Sequence, residues 1–173
     1  IQAANKLSSE KVKNFKIIFI GKDVLKLKNE IDKYNIQLNI ELIEQIGSNK
    51  NRKDIDKFPS KKLLQYYFDC DVFLFPSIIE LCPVAIIEAM AAGLPIITSN
   101  TPGCRDIVLK NQNAFLVNFK KEDQIVFAMK KLIKNFNLRK KMSLKSIEYS
   151  KNFDLTFVAQ KYEKLFINGL KND

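Results

Sequence analysis

The chain has 173 residues, of which 46% are hydrophobic and 28% are charged, and its formal net charge is +10. These values suit one globular domain with a substantial core and exclude an intrinsically disordered chain. Histidine is absent, which excludes histidine-based metal sites, histidine general bases and Ser-His-Asp triads unless another chain supplies the histidine. We expect neither a bound metal ion nor a cofactor.

Short apolar runs alternate along the chain with segments of helical spacing. The predicted strands cover residues 15–20, 38–46, 72–75, 96–98 and 115–117. The predicted helices cover residues 23–34, 60–69, 84–92, 105–109, 122–136, 138–149 and 154–170, and residues 47–60 form a polar surface loop. This alternation predicts an α/β fold, a Rossmann-like parallel sheet with helices on both faces. Ligands bind such folds at the carboxyl ends of the strands.

The cysteines indicate where the protein resides. Cys70, Cys82 and Cys104 are too widely spaced for a metal-binding CxxC pair. We interpret them as reduced thiols, packed inside a cytoplasmic protein. The first residues lack the apolar segment of a signal peptide, and prolines interrupt the most apolar stretch. We therefore expect a cytoplasmic location and no membrane-spanning helix.

Two carboxylates stand out in the third strand region and the helix after it. Residues 72–104 contain only two charged side chains, Glu80 and Glu88, whereas a chain that is 28% charged would place about nine there. A glutamate in an apolar stretch needs a partner. Glu80 precedes a predicted helix whose amino end attracts phosphate, and carboxylates accept hydrogen bonds from sugar hydroxyls. A nucleotide-sugar carries both phosphate and hydroxyl groups, so it fits the helix end and the carboxylates. Alternatively, Glu80 caps its own helix and Glu88 forms a buried pair with a Lys or Arg.

A longer series of motifs surrounds these glutamates. Residues 71–117 read DVFLFPSIIELCPVAIIEAMAAGLPIITSNTPGCRDIVLKNQNAFLV. The strand end D-V-F-x-x-P-S is followed in order by the E-x7-E pair, E-A-M-A-x-G-x-P, P-G-C-R-D-I-V and N-x-F-L-V. This segment resembles the carboxy-terminal domain of family 4 glycosyltransferases, which are retaining enzymes of GT-B fold. The resemblance extends loosely to the last helix.

The resemblance implies roles for individual residues. The donor, a UDP- or GDP-sugar, would bind this domain, with Glu80 as the catalytic residue near the donor sugar and its diphosphate. Glu88 would contact the ribose hydroxyls, and Gly47 would border the base. The phosphate would meet backbone groups of the residues after the first glutamate, namely Leu81, Cys82, Pro83 and Val84. Leu81 departs from the family, which commonly has glycine there to allow a close backbone approach.

The resemblance also implies that residues 1–173 form a single nucleotide-sugar-binding domain. The family's first strand, the Arg and Lys that clamp the diphosphate and the amino-terminal acceptor domain would be missing. The expected function is donor binding within a longer hexosyltransferase that moves a sugar with retention to a glycan, lipid-linked or protein acceptor, as in polysaccharide biosynthesis. The fragment alone would be inactive, because acceptor and clamp are elsewhere.

Two other functions stay open. The first is a non-catalytic nucleotide-sugar-binding or assembly module with the same fold, which Leu81 and the missing clamp favour. The second is a phosphate-handling enzyme on another Rossmann-like fold, such as a GT-B epimerase. The lack of histidine counts against the epimerase, because epimerases of that kind use one.

The positive charge is concentrated near the carboxyl end. Residues 120–151 contain ten Lys or Arg and three Asp or Glu. Such a face is either a solvated helical surface or a contact for an anionic membrane or nucleic acid. Only three of the 29 basic residues are arginine, the residue on which specific nucleic-acid readers depend. We therefore expect no nucleic-acid partner, and a peripheral contact with the inner face of the cell membrane stays open.

Overall fold

The computed structural model describes residues 1–44, 46 and 59–170. Its strands are β1 Ile17–Ile20, β2 Ile40–Ile43, β3 Phe73–Phe75, β4 Ile96–Ser99 and β5 Ala114–Val117. Its helices are α1 Gln2–Ser9, α2 Lys28–Tyr34, α3 Lys61–Asp69, α4 Val84–Ala91, α5 Pro102–Arg105, α6 Glu122–Lys134, α7 Phe136–Ser150 and α8 Leu155–Leu170. Short 3-10 turns cover Val24–Leu27, Gln37–Asn39 and Lys151–Phe153.

The strands form two parallel sheets. β1 pairs with β2, so that Ile17 lies opposite Ile40. The other sheet has the order β3-β4-β5, and Ile96 at its centre lies between Phe73 and Ala114. The predicted α/β class with parallel pairing is confirmed. Within the described residues the sheet is divided, so β1 and β3, like β2 and β5, each have one paired and one unpaired edge.

Helices cover both faces of the three-stranded sheet. Side chains alternate along a strand, and on β4 the neighbours Ile96 and Ile97, both fully buried, enter different hydrophobic clusters. The Ile96 cluster contains residues of α3 and α4, and the Ile97 cluster contains residues of α6 and α7. This arrangement confirms the predicted layers and explains why β3 and β5 contain only apolar residues.

Helix α1 connects the two sheets. Ala3 packs against the Ile97 cluster, whereas its neighbour Ala4 is buried with residues near β1 and β2. Ion pairs from Lys6 to Asp123 and from Glu10 to Lys130 join α1 to α6. The first helix therefore holds the β1–β2 unit against the larger sheet.

Several predicted boundaries are confirmed and one helix is misplaced. The predicted start of the second helix at residue 60 is confirmed, because Ser60 caps α3 with its Oγ, which accepts a hydrogen bond of 3.2 Å from the Leu63 amide. The helical turn predicted over residues 105–109 is wrong, because α5 starts at Pro102, whose fixed φ favours the first helical position. The chain then turns where the Leu109 amide donates to Asn113 Oδ1 at 2.7 Å. Most of the predicted loop over residues 47–60 lies outside the described residues.

Candidate functional site

The loops after β3 and β4 lie side by side at the carboxyl edge of the sheet. The first loop, residues 76–83, is called the Glu80 loop. Its start is fixed because the Phe75 carbonyl accepts hydrogen bonds from Thr98 Oγ1 at 2.9 Å and from the Ser77 amide at 3.1 Å. Parallel α/β folds bind their ligands at this edge, so Glu80 lies where the sequence predicts a site.

A glycine of α5 supports the Glu80 loop. A Cβ atom placed on Gly103 would lie 2.0 Å from the carbonyl oxygen of Glu80 and 2.6 Å from that of Leu81. No side chain fits in that space, so the α5 backbone packs directly against the loop backbone. The close approach fixes the position of Glu80 relative to the neighbouring loop.

The Glu80 side chain is half-buried and held within its own loop. Ser77 Oγ donates a hydrogen bond of 3.0 Å to Glu80 Oε1. The alternative that Glu80 caps α4 is wrong, because the N-cap residue is Pro83 and no side chain of the described residues caps this helix. Glu80 therefore keeps its second carboxylate oxygen for a partner outside the helix.

The residues predicted to meet phosphate surround the start of α4. Leu81 is 94% exposed, Val84 is 59% exposed and Pro83 is buried. Cys82 is exposed, so the prediction that all three cysteines pack inside is wrong for this one. The loop carries Leu81 and Cys82 into solvent before Pro83 returns the chain to the core. The amino end of α4, with its partial positive charge, is thus open to solvent.

Glu88 lies one turn into α4, about 6 Å along the axis from Val84 at 1.5 Å per residue. The residues around Glu88 are apolar on every side in the sequence, which predicts a helix buried all round, but only the side with Ile86, Ala89 and Met90 is buried. Glu88 lies four residues after the exposed Val84 and so on the same side of the helix. That side faces away from the core and keeps Glu88 half-buried.

The partner of Glu88 is a tyrosine hydroxyl. Tyr67 of α3 donates a hydrogen bond of 2.9 Å to Glu88 Oε2. The alternative of a Lys or Arg partner is not observed among the described residues, where neither an ion pair nor a donor to Oε1 is found. Burial raises the pKa of Tyr67 above its ordinary value, and the adjacent Glu88 carboxylate raises it further. Tyr67 therefore stays protonated and orients one oxygen of Glu88, and the other oxygen can accept a further hydrogen bond.

Sequence reasoning missed three residues of this site: Tyr67, Ser77 and Gly103. Ser77 and Gly103 stand within the motifs quoted above, so the sequence marks these two positions but does not predict their contacts. Tyr67 is 21 residues from Glu88, and no spacing rule connects them. Gly47, predicted to border the base, lies outside the described residues. In residues 1–44, 46 and 59–170, no three His, Cys, Asp or Glu side chains are grouped to hold a metal ion.

A parallel sheet with helices on both faces, and with carboxylates in and after the loop that follows β3, defines a Rossmann-like domain. Residues 1–149 match the family model described as Glycosyl transferases group 1. The chain therefore belongs to this glycosyltransferase family, as the sequence predicts.

Known relatives share parts of this chain. It is 27% identical over 151 residues to an uncharacterized glycosyltransferase of Haemophilus influenzae, a match that covers 87% of this chain and 39% of the relative. It is 27% identical over 104 residues to the N,N'-diacetylbacillosaminyl-diphospho-undecaprenol alpha-1,3-N-acetylgalactosaminyltransferase of Campylobacter jejuni, covering 60% of this chain and 28% of that enzyme. The chain thus spans less than half the length of these relatives.

A solved structure shows the same fold. Anabaena HepE in complex with UDP-glucose matches with a TM-score of 0.76 and 16% identity, over 96% of this chain and 44% of HepE. The fold is that of GT-B glycosyltransferases, which confirms the predicted fold class. Among the described residues, no helix combines the length and hydrophobicity that crossing a membrane requires.

Proposed function

We propose that this chain is the donor-binding domain of a longer glycosyltransferase of the hexosyltransferase class. The enzyme transfers a sugar with retention from a UDP- or GDP-sugar to a glycan, lipid-linked or protein acceptor. The observation that carries the proposal is the Glu88 carboxylate, with one oxygen held by Tyr67, on the exposed side of a helix whose amino end is uncapped. The UDP-glucose bound to HepE and the lipid-diphosphate-linked sugar in the name of the Campylobacter enzyme support the proposed donor and acceptor classes.

Each part of the site has a chemical task in this proposal. Glu88 accepts hydrogen bonds from the ribose hydroxyls. The amino end of α4, with backbone groups of Leu81, Cys82, Pro83 and Val84, binds the diphosphate and stabilises the negative charge that grows on it as it leaves. Glu80 lies beside the donor sugar, where a carboxylate stabilises positive charge at the reacting carbon. Gly47 borders the base.

The domain is also incomplete in this proposal. Residues 1–173 form one nucleotide-sugar-binding domain that lacks its first strand and the amino-terminal acceptor domain. The unpaired edges of β1 and β3 support a missing strand, and the partial coverage of the relatives supports a missing domain. Without the acceptor site the two substrates cannot be brought together. The fragment therefore binds donor but does not transfer sugar.

Nucleotide titration tests the donor site. We expect UDP or GDP and their sugars to bind the purified chain in calorimetry or NMR titrations. Glu88→Gln keeps the side-chain shape but removes charge-assisted hydrogen bonds, each worth about 1.5–3 kcal/mol, so affinity should fall at least about tenfold. Glu163→Gln, an exposed position on α8, is the matched control. If no nucleotide binds, or if both variants bind equally well, the site assignment is wrong.

A non-catalytic module is the second candidate function. The observation that favours it is Leu81, which stands 94% exposed at the start of α4, where the family commonly has glycine. Assay of the full-length parent protein separates the two candidates. Sugar transfer by the parent that is abolished in Glu80→Gln supports the enzyme, whereas donor binding without transfer supports the module.

A further inference from the structure

We propose that the outer surface of helices α6 and α7 binds anionic lipid and holds this domain against a membrane. This α6–α7 surface consists of Phe127, Lys131, Lys134, Phe136, Lys140 and Lys141, all of which are exposed. The surface lies outside the donor site, so the proposal does not depend on the donor chemistry.

The two helices turn their inner sides toward the same core. Leu132 of α6 and Met142 of α7 are buried in the Ile97 cluster. Phe127 and Lys134 lie on the side of α6 opposite Leu132, and Lys140 lies on the side of α7 opposite Met142, at about 100° per residue. The outward sides of both helices are therefore presented to solvent from one side of the sheet.

Ion pairing separates the basic residues of these helices into two groups. Three of them are paired: Lys130 with Glu10, Arg139 with Asp71, and Lys145 with Glu148 of its own helix. The four lysines of the α6–α7 surface have no ion-pair partner among the described residues. The acidic residue Asp123 is already paired with Lys6. The positive charge of this surface is thus not neutralised within the described residues.

Two aromatic rings lie among these lysines. Phe127 is 57% exposed and Phe136 is 66% exposed. The Lys131 ammonium lies 4.7 Å from the centre of the Phe127 ring. The exposed part of each phenyl ring stays in contact with water in the free chain, but at a lipid surface it enters the acyl boundary while neighbouring lysines meet phosphate headgroups. The combination favours an anionic bilayer over a merely solvated face, and the scarcity of arginine counts against nucleic acid.

Vesicle binding measures the contribution of the lysines. We expect the purified chain to co-sediment with phosphatidylcholine vesicles that contain phosphatidylglycerol and to stay in solution with phosphatidylcholine alone. Each surface lysine should raise the partition coefficient about fivefold. The quadruple variant Lys131→Gln, Lys134→Gln, Lys140→Gln and Lys141→Gln should therefore lose binding by on the order of 100-fold or more. The control carries the same charge change at exposed lysines elsewhere: Lys13→Gln, Lys22→Gln, Lys61→Gln and Lys62→Gln.

Tryptophan fluorescence measures which surface meets the lipid. The chain has no tryptophan, so Phe127→Trp introduces a single reporter, and Phe68→Trp on α3, which is 66% exposed, is its control. Anionic vesicles should shift the emission of the Phe127→Trp variant to shorter wavelength and leave the emission of the Phe68→Trp control unchanged. Equal losses in the two quadruple variants would show a net-charge effect and overturn the proposal. Binding to duplex DNA that exceeds binding to vesicles, with no emission shift, would also overturn it and assign the surface to nucleic acid.

Discussion

Replacing Gly103 with alanine adds a methyl group where the structure has no room for one. The new Cβ would lie 2.0 Å from the Glu80 carbonyl oxygen, and because real Cβ atoms essentially never approach closer than 3.0 Å, the Glu80 loop must move by about 1 Å. Such overpacking should lower the free energy of unfolding by about 1–3 kcal/mol. A displacement of about 1 Å at a reacting group costs on the order of 100-fold in rate. Donor affinity should fall as well, because the Glu80 loop leads directly into the start of α4.

Two measurements separate the local effect from general destabilisation. Urea denaturation gives the free energy of unfolding, and calorimetric titration with the nucleotide gives donor affinity. Gly93→Ala is the control, because Gly93 has φ of 83° and an added Cβ would lie 3.1 Å from Ser143 Oγ. A non-glycine residue held at such a φ costs about 1–3 kcal/mol, and this site lies after α4 instead of at its start. We expect Gly93→Ala to lower stability and to leave donor affinity unchanged.

The outcome that would refute this reasoning is specific. If Gly103→Ala unfolds at the same urea concentration as the unmodified chain and binds nucleotide equally well, α5 does not support the Glu80 loop. If Gly103→Ala and Gly93→Ala reduce affinity equally, the loss reflects stability alone, and the proposed positioning role is wrong.

The further predictions concern three neighbours of the two glutamates. Tyr67→Phe leaves Glu88 without its donor and should weaken nucleotide binding about tenfold, at a net cost of about 1–2 kcal/mol, in the same calorimetric titration. The folded chain keeps the Tyr67 proton at pH values above the ordinary pKa of 10.0. The stability that Tyr67 contributes is therefore complete below about pH 10 and is lost as the pH rises further. Urea denaturation across this range should show a smaller loss of stability for Tyr67→Phe than for the unmodified chain. Ser77→Ala frees the Glu80 carboxylate and should reduce transfer by the parent enzyme more than it reduces donor affinity; an equal reduction of both would contradict a positioning role. Cys82 should react with iodoacetamide before Cys104, which is buried, and before Cys70, whose pKa is raised by burial and nearby carboxylates. Bound nucleotide should protect Cys82, as mass spectrometry of digested protein can measure, and unchanged labelling would place the ligand elsewhere.

The fold was predictable because the pattern of hydrophobicity is strong and local. Runs without a charged residue, such as Ile96–Ser99, are typical of strands buried on both faces, and this strand is fully buried. Boundaries were less predictable where a single residue sets them. Pro102 starts α5 earlier than the hydrophobic spacing indicates, and Asn113 closes the turn that follows through a side-chain bond to Leu109.

The candidate site was predictable in its charges and not in its contacts. The near absence of charged residues from residues 72–104 marks Glu80 and Glu88, because carboxylates are rare in apolar segments. The bond from Tyr67 to Glu88 joins two helices, and the Gly103 contact joins two loops, so both depend on tertiary packing. Cys82 shows the same limit, since its apolar surroundings in the sequence suggest burial whereas the loop turns it outward.

The divided sheet has a consequence for how this protein can be assembled. β1 and β3 each leave a row of backbone N–H and C=O groups unpaired within the described residues. Such edges accept an added strand from another chain, and unprotected ones promote self-association. A short peptide that supplies one strand in trans is therefore a natural complement for this chain. A monomeric complex of the chain with this peptide, more stable than the chain alone, would allow strand docking to be measured separately from nucleotide binding.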